Sequence, residues 1–408
     1  MTKAKKILIV SFTFPPYSGV GGRRWAKFAK YLKRAGHNIE VIAGVSGFEK
    51  NSPWIKDIEG IKVEYHNTGY PQYLGINPTT VFEKFMYRIS LLYMKFTTSG
   101  NYFDKSAKWK KKLANEIIKR KGELDIVFVT CAPFRMAFDL IPLVKKYPII
   151  KWVVDFRDPW TTNQTAYGFE SLSKKRKLFE KEAEKEVVQA YDEVISVAEP
   201  MSTYFKSICV VNQKKIKTIP NGYDPEDFPS IKEEKKANSY FTFVFAGTLY
   251  DKAMPSFLLF ANAVNKLRDK DEQLYQKMKF VFIGTEKNKV NKLRHPNVSI
   301  LPFLPFKEVR SYLDKANAGL LFLTPDIDWS FSTKFTDYIG AQLPILVVSE
   351  NKSVTGDYCL ENGFGDYLDK GRVSNFLDVW NNISGIKRIN ESTKKAFNLK
   401  EIANDLLK

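Results

Sequence analysis

Only three cysteines and three histidines occur in 408 residues. Cys131, Cys209 and Cys359 lie far apart and cannot make a paired disulfide framework, and three histidines leave little material for a zinc cluster. A reducing compartment and metal-free chemistry are the simpler expectation. Acidic residues are scarce beside basic ones, 45 Asp and Glu against 64 Lys and Arg, which leaves a formal net charge of +19. That excess favours an anionic partner, whether nucleic acid, anionic membrane or phosphorylated ligand, and says nothing about fold. Long apolar runs are missing too, since none approaches the ~18 residues that cross a bilayer as a helix.

What is present is enough apolar material, 44% of residues, for more than one core, and two domains are expected at roughly 100 to 200 residues each. Lys3, Lys5 and Lys6 before the apolar run Ile7 to Phe14 imitate a secretory signal. The run is short and gives way to Pro15-Pro16-Tyr17-Ser18-Gly19, so it reads as a buried first strand of a cytoplasmic protein, with surface attachment to a membrane left open. Short aliphatic runs at Ile7 to Ser11, Ile39 to Ala43, Ile61 to Tyr65, Ile126 to Thr130, Lys151 to Asp155 and Glu193 to Val197 predict parallel strands. Helical patterns alternate with them, as in Arg23 to Ala35, where Trp25, Phe28, Ala29 and Leu32 recur at helical spacing, and in the charged stretch Ser173 to Tyr191. After the turn at Ile219-Pro220-Asn221-Gly222 and a polar segment, Asp224 to Ser239, a second series predicts strands at Phe241 to Ala246, Lys279 to Ile283, Val298 to Leu301, Gly319 to Leu323 and Ile345 to Val348. The fold class is α/β, two Rossmann-like doubly wound domains. Two such sheets can face each other across a central cleft, and the loops after their strands are the places to seek chemistry.

Four loops stand out. Pro15 to Arg24 contains Gly21 and Gly22 and opens onto a helix, where glycines admit an anion to backbone amides and the helix terminus adds partial positive charge. It matches neither a dinucleotide fingerprint nor a P-loop, and a tight strand-to-helix connection explains it as well. Asp155-Phe156-Arg157-Asp158 puts two carboxylates around an arginine at a strand end. This set suits orientation of a substrate hydroxyl, or equally an internal ion pair that holds a loop. Gly247-Thr248-Leu249-Tyr250-Asp251-Lys252 ends a strand with glycine, hydroxyl and ammonium together. Ser332-Thr333-Lys334 begins a helix with Asp337 one turn on, an arrangement that would give a diphosphate amides and an ammonium, and a ribose a carboxylate. An ordinary capped helix has the same residues.

In this order the loops resemble the GT-B glycosyltransferases, specifically the retaining family 4 group, also called group 1. The likeness runs over nearly the whole chain, from Phe14-Pro15-Pro16 and Gly36-His37 through Asp155 to Trp160, Ala190 to Glu199 and Ile219 to Asp224, to Ser332 to Ala341 before Leu343-Pro344-Ile345. The resemblance implies sugar transfer from a nucleotide-sugar donor to a glycan or lipid-linked acceptor, with retention of configuration and no cofactor or metal. It implies an acceptor-side domain over 1–222, a nucleotide-sugar domain over 223–385, and a helical segment over 386–408 that packs back on the first domain. Carried over by position, Lys334 and Lys252 neutralise the leaving diphosphate with Arg23 or Arg24 assisting, Gly21 and Gly22 approach it, and Asp337 meets the ribose. Asp155, with Arg157 and Asp158, takes the reacting centre. The family's pair of glutamates is not intact, because Asp337 stands at the second position and Trp329 at the first, with Asp328 beside it, and Asp328 or Asp326 is left to meet the donor sugar. Thr248 stands where the family commonly has an arginine.

Basic charge concentrates in Thr79 to Leu124, where eleven Lys or Arg face four Asp or Glu among interleaved aromatics. Such a stretch suits an anionic membrane surface, and a lipid-borne acceptor, better than nucleic acid, although a solvated lysine-rich face has the same composition. The function expected is glycosyl transfer in surface polysaccharide or glycolipid synthesis. A nucleotide-sugar epimerase or phosphorylase-like enzyme on the same fold, or a degenerate binding protein, remains the alternative.

Overall fold

Thirteen short strands carry the apolar runs, as shown by a computed structural model that describes residues 3–17, 19–45, 50–162, 168–210, 212–229, 239–325, 327–386 and 389–407. The first seven are β1 (Lys6–Ser11), β2 (Asn38–Gly44), β3 (Lys62–His66), β4 (Ile126–Cys131), β5 (Lys151–Phe156), β6 (Glu193–Ser196) and β7 (Ile216–Thr218). They form one sheet in the order β3-β2-β1-β4-β5-β6-β7. The remaining six are β8 (Phe241–Ala246), β9 (Met278–Ile283), β10 (Val298–Leu301), β11 (Ala318–Phe322), β12 (Ile345–Val348) and β13 (Gly365–Leu368), ordered β10-β9-β8-β11-β12-β13. All strand pairs are parallel, which fits strands that read as unbroken apolar runs, since helices cover both faces of such sheets.

The run that imitates a signal sequence supplies β1, an interior strand whose Ile7, Leu8, Ile9 and Val10 are buried. The helix after it, Arg23–Arg34, buries Trp25, Phe28, Ala29 and Leu32 as the spacing predicts, with the Trp25 ring 4.7 Å from Phe128 on β4. Phenylalanines dominate the other core. Phe243 on β8 stacks on Phe280 on β9 at 5.5 Å, and Phe260 and Phe322 close around them.

Two strands escape the sequence reading for reasons of composition. β13 carries Asp366, which is fully buried because Arg372 and Asn382 satisfy it, so a charge interrupts what would be an apolar run. β7 has three residues with Lys217 at its centre, too short to show a pattern.

The chain divides into two compact units, Met1–Pro220 and Asn221–Lys408. The terminal helices Glu391–Ala396 and Leu399–Asp405 divide with the second unit, where Tyr223 pairs with Asn398 and Phe397 lies 5.4 Å from Phe335.

Candidate active site

Each sheet reverses its strand order once, between β1 and β4 in the first unit and between β8 and β11 in the second. Loops leaving the carboxyl ends of such a strand pair run to opposite faces and open a crevice, where sheets of this kind hold ligands. Most of the candidate residues lie in loops of this kind.

In the first unit Arg157, one residue beyond β5, ties the two crevice loops together. Its Nη1 donates to the Gly21 carbonyl at 2.6 Å, its Nε to Cys131 O at 3.1 Å, and its Nη2 to Ala132 O. A Cβ at position 21 would stand 2.6 Å from that Nη1, so a side chain there would displace the guanidinium from this position. A Cβ at position 22 would stand 3.2 Å from the Phe14 Cα, a looser but still tight approach. The arginine is therefore a clamp on backbone, and Gly21 serves the clamp. Asp158 is half-buried beside it.

Asp155 does not occupy an open reacting centre. Its carboxylate is 0% exposed and accepts hydrogen bonds from Arg24 Nη2 (3.0 Å) and Nε (3.3 Å), Trp25 Nε1 (2.7 Å) and Thr130 Oγ1 (3.3 Å). Arg24 also donates to Ile219 O at 2.8 Å and Pro220 O at 2.6 Å. This is the internal ion pair set beside the catalytic reading above. It binds β5 to the first helix and to the end of the unit, and it removes Arg24 from the cations available to a diphosphate.

The crevice of the second unit keeps its charge open. Gly247 follows β8 with φ +124°, a backbone conformation that side chains disfavour. A Cβ there would lie 2.5 Å from Lys334 Cε and 3.1 Å from Nζ, so the lysine crosses the glycine directly. Gly247 is itself fixed, donating N–H to Ile283 O at 2.8 Å and accepting from Thr285 Oγ1 at 2.8 Å. Lys334 stands in the first turn of the helix Thr333–Gly340, and its Nζ lies 5.3 Å from the Phe245 ring centre. Among the described residues its ammonium has no hydrogen bond or ion pair. Burial pushes its pKa down, and Asp337 one turn on pulls it partly back.

Two features keep this helix end open and fixed. Ser332 at the N-cap makes no capping bond, and its Oγ is buried without a partner among the described residues, so the usual side-chain cap of the first turn is not made. Tyr338 anchors the helix from below. Its ring lies where a Cβ on Gly319 would be, at 2.5 Å, and its hydroxyl donates to Leu320 O at 3.0 Å on β11. The sequence reading places Ser332 at the helix start but does not contain the tyrosine anchor, and a glycine inside β11 facing a helix tyrosine is the signal that could have found it.

The remaining candidates lie further out. Thr248, Lys252 and Asp328 are exposed, Thr333 and Asp337 are half-buried, and Asp326 lies outside the described residues. Lys289 braces the loop after β8, pairing with Asp251 at 2.7 Å and donating to Leu249 O at 3.0 Å. Among the described residues no three His, Cys, Asp or Glu side chains are grouped to hold a metal ion. We expect Gly247→Ala to displace Lys334 and strain the backbone by roughly 1–3 kcal/mol. Thermal melts of the variant should show a lowered melting temperature.

No family model and no curated protein matches the chain. Solved structures do. A glycosyltransferase from Rickettsia africae aligns over 99% of this chain and 97% of its own at TM-score 0.59 and 15% identity. The lipopolysaccharide outer core galactosyltransferase WaaB aligns over 98% of each chain at TM-score 0.59 and 10% identity. The E. coli trehalose-6-phosphate structure with bound UDP-2-fluoro glucose aligns over 98% of each at TM-score 0.61 and 12% identity. The two parallel sheets match the paired Rossmann-like domains of these neighbours nearly end to end, and the chain has the GT-B fold.

Proposed function

We propose that the chain is a glycosyltransferase that moves a sugar from a nucleotide-sugar donor to a glycan or lipid-linked acceptor, with retention of configuration, in surface polysaccharide or glycolipid synthesis in the cytoplasm. One observation carries this reading. Lys334 is a half-buried cation with no hydrogen bond or ion pair among the described residues, at a helix terminus without a side-chain cap in the crevice of a sheet whose fold neighbours include one with a bound UDP-sugar. A desolvated ammonium in the positive end of a helix is unfavourable by itself and becomes favourable when an anion arrives.

Transfer breaks the bond between the anomeric carbon and the β-phosphate oxygen and forms one to an acceptor hydroxyl, which gives up its proton. Negative charge then grows on the departing diphosphate. In this reading the Lys334 ammonium and the amides after Ser332 stabilise that charge without a metal, since groups fixed in advance need no reorganisation as it develops. Asp337, one turn along the same helix face, accepts from the donor ribose, and Asp328 with Thr248 and Lys252 borders the donor sugar. The first unit holds the acceptor. Its role rests on a crevice clamped by Arg157, with Asp158 as the carboxylate nearest that clamp in sequence. The three cysteines, all buried free thiols, accord with a reducing compartment.

Incubation with a panel of nucleotide sugars tests the proposal. Slow release of nucleoside diphosphate, and a glycoside product whose anomeric proton coupling matches the donor's, are expected. Isomerised donor without acceptor would indicate an epimerase, and dependence on inorganic phosphate a phosphorylase-like enzyme. Tight nucleotide binding with no turnover would indicate the binding protein that the altered glutamate pair allows.

A further inference from the structure

Among the described residues the helix Val81–Thr97 leaves an apolar face largely open, with Tyr73 against Phe82 at one end of it. It buries only Ser90 and Met94 against the protein, yet Val81, Phe82, Phe85, Ile89, Leu92, Tyr93 and Phe96 are all exposed, Val81 at 85% and Phe96 at 86%. At ~100° per residue these seven side chains fall in one unbroken arc of about 120°. Arg88, Lys95 and Lys84, also exposed, fill the next ~60° of the helix surface on one side of that arc. Soluble proteins rarely leave so many large apolar side chains contiguous and open.

The helix is held firmly enough to act as a rigid element. Thr80 and Glu83 form a reciprocal capping box at its start. At its end Arg176 donates to Lys95 O at 2.5 Å, Thr98 O at 2.7 Å and Gly100 O at 2.7 Å. Met94 on its inner side joins a small core with Tyr102, Phe169 and Leu172. Lys108 lies over the Tyr93 ring at 5.1 Å, which adds a further cation at the rim of the face.

We infer that this face docks on an anionic lipid bilayer, with the helix lying in the plane of the interface, its apolar arc in the acyl boundary and Lys84, Arg88 and Lys95 at the lipid phosphates. A lone apolar stripe would suit a protein partner as well. The basic stripe bordering it, in a stretch with eleven Lys or Arg and four Asp or Glu, matches the sign of a membrane surface and would repel a second copy of this chain. No helix among the described residues is long and apolar enough to cross a membrane, so attachment through this face is to one surface. The inference stands on the helix surface and does not depend on the reaction.

The full chain is tested by flotation with vesicles of phosphatidylcholine alone and of phosphatidylcholine with one-third phosphatidylglycerol. Binding to the anionic vesicles that weakens with added salt is expected. Phe85→Asp with Phe96→Asp should lower the partition coefficient by roughly 100-fold, and Lys84→Glu with Arg88→Glu by at least tenfold, with melting temperature unchanged in both. Wild-type protein that stays with the solvent would overturn the inference. So would concentration-dependent self-association abolished by the phenylalanine variant, which would make the face a homodimer interface.

Discussion

Lys334→Met is expected to lower kcat/KM for the donor by roughly 100- to 1000-fold, the loss that follows removal of one preorganised group from a developing oxyanion. Its effect on stability should have the opposite sign. The ammonium is desolvated, lies in the positive end of a helix and makes no ion pair among the described residues, with Asp337 one turn on offsetting this only in part. The helix terminus alone opposes a cation by about 0.3–1 kcal/mol. Methionine keeps the unbranched stem that packs beside Phe245 and Gly247 and drops the charge. A melting temperature unchanged or raised, with activity lost, would mark the residue as one held at a cost for function. A melting temperature lowered along with activity would instead make Lys334 a structural cation, and the reading of this crevice would fail.

Asp155→Ala is expected to do the reverse. Removing the carboxylate takes from the buried Arg24 guanidinium its carboxylate acceptor, and strips Trp25 Nε1 and Thr130 Oγ1 of their acceptor. Breaking a buried pair from one side costs about 3–5 kcal/mol, a large share of the roughly 5–15 kcal/mol that holds a typical domain. Urea unfolding should show the first unit losing its transition or shifting it by about 1 M or more, at m-values of roughly 1–3 kcal/mol/M. Retained stability with lost turnover would return Asp155 to the reacting centre.

These two aspartate and lysine sites show where sequence reading succeeds and where it stops. Parallel strands are legible because burial on both faces demands continuous apolar runs, and eleven of the thirteen strands follow from that rule. The helix start at Lys334 was legible as well, because a serine, threonine and lysine in succession announce their own geometry. For Asp155 and Arg157 the spacing left a catalytic set and an internal ion pair equally open. Both sit at the carboxyl end of a strand with the composition of a catalytic set, and only the partners brought from Arg24, Trp25, Gly21 and Cys131 show that they hold the loops. Those partners come from more than 100 residues away in the case of Arg24, Trp25 and Gly21. Local spacing carries no trace of contacts at such range. The exposed helix lies between these cases. Its composition shows aromatics among cations, but whether they point inward or outward is decided by which side Ser90 and Met94 take.

Calorimetric titration of the purified chain with UDP, GDP and ADP tests the central claim most directly. One of them should bind at a single site, raise the melting temperature as its concentration passes the dissociation constant, and lose at least tenfold in affinity in Lys334→Met. Absence of binding by all three, or equal affinity in wild type and variant, would contradict it.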